Sequence, residues 1–146
     1  MIQVYYYIGL ANTSIGYQAK GGNGGTVALG YRAGNTSGTI GNYAISIGYD
    51  ANQGTANIGL DSIAIGRGTE TVGNLTIAIG QNAVTNNNSS NIAIGHSSSA
   101  TGGSIAIGPN AVSTNGSGGS IAIGISASSV SDSTAVGIAA KTYAVG

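Results

Sequence analysis

Ile, Ala and Gly recur along the chain in one order. Ser-Ile-Ala-Ile-Gly stands at 62–66, 104–108 and 120–124, Thr-Ile-Ala-Ile-Gly at 76–80 and Asn-Ile-Ala-Ile-Gly at 91–95. Residues two apart on a strand share a face. Each copy therefore predicts a short strand with two bulky apolar side chains on one side and small residues on the other. Aligned on the apolar-Gly pair, the repeat is anchored at Gly9, Gly16, Gly30, Gly48, Gly66, Gly80, Gly95, Gly108, Gly124, Gly137 and Gly146. The steps vary, and such variation would turn the apolar face of a helix out of line. A solenoid of short strands accommodates it, because extra residues bulge into loops.

The predicted organisation is one all-β domain over 1–146, a parallel β-roll. Longer variant coils with Ile-Gly-Tyr corners fill 1–66, and coils of 13–16 residues fill 67–146. The additional Ile40-Gly41 and Ile58-Gly59 pairs predict a second strand or a longer loop in the long coils. Stacking aligns Ile63, Ile77, Ile92, Ile105 and Ile121 in one column and Ile65, Ile79, Ile94, Ile107 and Ile123 in another. On the rule that bulky apolar side chains go inside, these ten residues are the expected core. Ala64, Ala78, Ala93, Ala106 and Ala122 then form an uncharged outer strip, the expected contact face of an oligomer.

Composition narrows the function. Four Lys/Arg and four Asp/Glu leave the chain neutral, and the cations are scattered singly. A nucleic-acid surface needs clustered cations, so that partner is not expected. No apolar run reaches the roughly 20 residues of a membrane helix, so membrane insertion is not expected either. Cys is absent, and His96 is the only histidine, with no second ligand in its coil. Catalytic residues, metals and cofactors are therefore not expected. The Gly-rich 20–26, with its Lys placed before the glycines, reads as an inter-coil loop rather than a phosphate loop. Tyr17, Tyr31 and Tyr49 each follow a repeat Gly and predict an external aromatic ladder near Tyr5, Tyr6 and Tyr7, a candidate binding surface or an edge shield.

The copies at 104–113, 76–85 and 120–129 resemble the head repeats of YadA-like trimeric autotransporter adhesins. Those at 12–19, 26–33 and 44–51 resemble the same repeat in bacteriophage tail fibres. The resemblance covers nearly the whole chain. It implies a left-handed β-roll, three of which assemble side by side into a homotrimer, and a non-enzymatic attachment module on a virion or bacterial surface. Implied partners are a cell-surface receptor or glycan and other fibre or baseplate segments. The sequence carries no stretch like the adhesins' signal peptide, stalk or anchor, and this favours a phage tail fibre contacting its host over a bacterial adhesin head binding host matrix or cells. A left-handed β-helix acyltransferase would need a strict six-residue period and a catalytic His. An ice-binding solenoid would need an unbroken Thr column, which Thr26, Thr76 and Thr134 do not form.

Overall fold

The structure, a computed structural model, describes residues 11–22, 24–54, 57–86, 90–114 and 119–143. Their strands are β1 (Thr13–Ile15), β2 (Val27–Leu29), β3 (Ile45–Ile47), β4 (Ile63–Ile65), β5 (Glu70–Thr71), β6 (Ile77–Ile79), β7 (Val84–Asn86), β8 (Ile92–Ile94), β9 (Ser99–Thr101), β10 (Ile105–Ile107), β11 (Val112–Thr114), β12 (Ile121–Ile123), β13 (Ser128–Val130) and β14 (Thr134–Val136). They build a β-solenoid of about eight turns, with no helix among the described residues. One nine-stranded sheet takes the Ile-Ala-Ile strand of every coil, in the order β1-β2-β3-β4-β6-β8-β10-β12-β14. A five-stranded sheet, β13-β11-β9-β7-β5, forms the opposite wall of the later coils. All pairings are parallel, and Ile77↔Ile92, Ile92↔Ile105 and Ile105↔Ile121 stack as the repeat spacing predicts.

The second wall is not distributed as expected. Among the described residues the long coils carry only isolated bridges away from the first sheet, Thr36↔Gly54 and Ile40↔Ile58, where a second strand or a longer loop was expected. Ile40, Ala44 and Ile58 cluster at the second of these bridges. In the later coils a regular second strand follows the corner instead, as in Val112–Thr114.

The two faces of each rung are the reverse of the sequence expectation. Ala64, Ala78, Ala93, Ala106 and Ala122 are fully buried. The flanking core candidates Ile63, Ile65, Ile77, Ile79, Ile92, Ile94, Ile105, Ile107, Ile121 and Ile123 lie on the outer face, half-buried or exposed. The reason is volume. A coil of about thirteen residues closes two strands around a space that takes small side chains only, and overfilling such a space costs more than leaving aliphatics outside. Further small columns complete the interior: Ala33, Ala51, Ala83, Ala111 and Ala127 beyond the corner, and Thr71, Thr85, Ala100, Ser113 and Ser129 on the second wall.

The remaining interior column is hydroxylic, with Ser62, Thr76, Ser104 and Ser120 buried at the entry to the first wall. Buried hydroxyls need partners. They find them across the coil and between coils: Ser113 and Ser120 share a hydrogen bond of 2.7 Å, and Ser104 and Ser120 one of 3.2 Å. Three asparagines tie neighbouring coils together. The Asn12 Oδ1 accepts from the Thr26 N–H and hydroxyl, and the Asn52 Oδ1 does the same from Thr71. The Asn91 Oδ1 accepts from the N–H groups of Gly103 and Ser104.

Candidate functional site

Each rung ends in one corner, and the corner follows from its residues. The repeat glycines adopt φ near +130°, where a side chain is strained. Their backbones also touch: a Cβ on Gly95 would lie 2.5 Å from the Gly108 carbonyl oxygen. A turn follows, closed by bonds such as Ala111 N–H to the Gly108 carbonyl at 3.1 Å. Its third residue has positive φ throughout, for example Gln18, Asn82 and Asn110, as a type II turn requires. Its second residue is exposed in every coil but one, where Gln81 is half-buried. Backbone bonds from Arg32 to Tyr17, Asp50 to Tyr31, Gly68 to Tyr49 and Asn82 to Arg67 show that these second residues succeed one another in register. Along the solenoid the corner column reads Tyr17, Tyr31, Tyr49, Arg67, Gln81, His96, Pro109, Ile125, Ile138.

The tyrosines form the predicted ladder. Tyr17 and Tyr31 stack with ring centroids 5.3 Å apart and planes at 16°, and Tyr31 and Tyr49 at 4.9 Å and 10°. They remain 64%, 39% and 52% exposed. Arg32 sits 5.8 Å from the Tyr31 ring centre, a cation–π contact, and its Nε lies 3.5 Å from the Asp50 carboxylate. Tyr5, Tyr6 and Tyr7, expected nearby, lie outside the described residues. His96 is an exposed corner residue. The Gly-rich 20–26 connects β1 to β2, with no helix after it, and Lys20 Nζ donates to the Thr36 carbonyl.

The second surface was missed by assigning bulk to the interior. The outer face of the nine-stranded sheet carries Ile, Val or Leu at every strand position except Thr13 and Thr134. At ~4.8 Å per rung this strip runs about 38 Å along the solenoid. The opposite wall is mixed, with Ser99, Thr101, Thr114 and Ser128 among its outward residues. The signal that could have found the arrangement is the second Ala column, Ala33, Ala51, Ala83, Ala111 and Ala127, which recurs as regularly as the first and needs a place inside.

Among the described residues no three His, Cys, Asp or Glu side chains cluster as metal ligands, and no helix is long and apolar enough to cross a membrane. A depression lined by Asn52, Gln53, Asn57, Glu70 and Thr71 has a volume of about 10 Å³, room for one water. That depression is too small to hold a substrate. No family model matches the chain, and no curated protein is significantly similar to it.

Proposed function

We propose that the chain is a structural and attachment module of a homotrimeric fibre, a left-handed β-roll whose three copies assemble side by side. The observation that carries this reading is the aliphatic strip. A soluble surface seldom leaves a contiguous apolar patch of this length uncovered, and covering it contributes roughly 25 cal/mol per Å². Three copies around an axis, each turning its nine-stranded sheet inward, cover all three strips in a closed assembly. This moves the expected subunit contact from the Ala column to the Ile columns. The setting supported best is a bacteriophage tail fibre touching its host, on the resemblance of the Ile-Gly-Tyr coils. A stiff, repetitive surface suits adhesion, since weak contacts repeated along the fibre and over three chains add through avidity.

Sedimentation equilibrium at micromolar concentration tests the assembly. The expected mass is three times the 14.1 kDa of one chain. Ile79→Asp with Ile94→Asp should shift it toward one chain, because each places a charge in the apolar contact. A wild-type chain that is folded and monomeric would remove the basis of the reading. Retention of the labelled trimer on host cells, against a scrambled-repeat control, tests attachment.

A further inference from the structure

We infer that the Tyr17–Tyr31–Tyr49–Arg67 corner column binds a carboxylated polysaccharide lying along the solenoid axis. The inference names a ligand class for the attachment role proposed above and rests on that reading. Stacking decides what the ladder can offer. Tyr31 is covered on both faces by its neighbours, yet it remains 39% exposed, so what it presents outward is its edge. The edge is the positive part of an aromatic quadrupole. None of the three phenol hydroxyls bonds to a described residue, so each is free to donate to a ligand. The column is thus a row of donors spaced by the 4.9–5.3 Å ring separation, about one sugar ring per rung.

Charge points the same way. Arg32 is offset by Asp50. Arg67, in the next rung of the column, is exposed and has no ion-pair partner among the described residues. A guanidinium suits a planar carboxylate through two parallel hydrogen bonds. Ring edges, hydroxyl donors and one surplus guanidinium together select an anion. A platform for a neutral sugar lying along the column would need a run of open ring faces, which Tyr31 lacks and Tyr17 and Tyr49 each keep on one side only. A densely sulfated chain would need clustered cations, and the corner column carries only Arg67.

The test uses the full chain on immobilised hyaluronate, alginate, dextran and heparin. Retention on hyaluronate or alginate at least about tenfold stronger than on dextran or heparin is expected, the scale of a charge-assisted bond. Arg67→Gln should lower that retention by about tenfold. Tyr17→Phe, Tyr31→Phe and Tyr49→Phe combined keep the stack and remove the donors, and should weaken it by a similar factor, about tenfold, with unchanged sedimentation. Binding to neither carboxylated polymer, equal retention on dextran, tighter retention on heparin, or a triple Phe variant that binds like the wild type would each overturn the inference. Those outcomes with a wild-type trimer that still attaches to cells leave the attachment reading standing. A monomeric wild type sinks the reading itself.

Discussion

Single residues are constrained here by contact between coils. Gly95 has φ +134° and faces the Gly108 carbonyl, so Gly95→Ala meets backbone strain and a collision at once. It should lower stability by more than ~2 kcal/mol, whereas Gly54→Ala, with positive φ but nothing within 4 Å of the new methyl, should cost about 1 kcal/mol. Thermal melts of the two variants check this, and equal melting temperatures would contradict the close approach. Thr85 is a different case. Its buried hydroxyl has no hydrogen-bond partner among the described residues. Thr85→Val keeps the shape and removes a desolvated polar atom, so a neutral effect or a gain of up to ~1 kcal/mol is expected in urea unfolding. Thr71→Val should instead lose about 1 kcal/mol, because the Thr71 hydroxyl donates to the Asn52 Oδ1 at 3.0 Å.

The element is a rung with its corner, and its two faces should answer differently to substitution. Ala106→Leu overfills the interior and should unfold the coil, at a cost above ~2 kcal/mol. Ile107→Asn, on the outer face, should leave circular dichroism of the β-roll intact and weaken association, read as a lower mass in sedimentation. Loss of the fold with Ile107→Asn and tolerance of Ala106→Leu would restore the opposite assignment of faces. The corner offers a second lever. Ser126 holds φ +54° at the third turn position, where Asn82 and Asn110 stand in other coils. Asn tolerates that conformation better, so Ser126→Asn should stabilise by a few tenths to ~1 kcal/mol in thermal melts.

The whole molecule is a stack of coils in which each rung meets chiefly its neighbours. Repetition made its architecture legible: the parallel register, the corner glycines and the tyrosine ladder all follow from the Ile-Ala-Ile-Gly spacing and from the Tyr after Gly16, Gly30 and Gly48. Period-two alternation places Ile105 and Ile107 on one face and Ala106 on the other, but it is symmetric under exchange of inside and outside. Bulk is ordinarily the tie-breaker, and it misleads here because a closed coil this small has no room for two Ile per rung. Only the tertiary structure, which sets how far apart the two walls stand, could decide that Ala and Ser fill the interior and that the Ile columns face outward. The same distance turned the expected core into an outward-facing aliphatic strip. The sequence by itself determined that the chain is a solenoid and which residues stack; the separation of its walls determined which stacks are buried and which face outward.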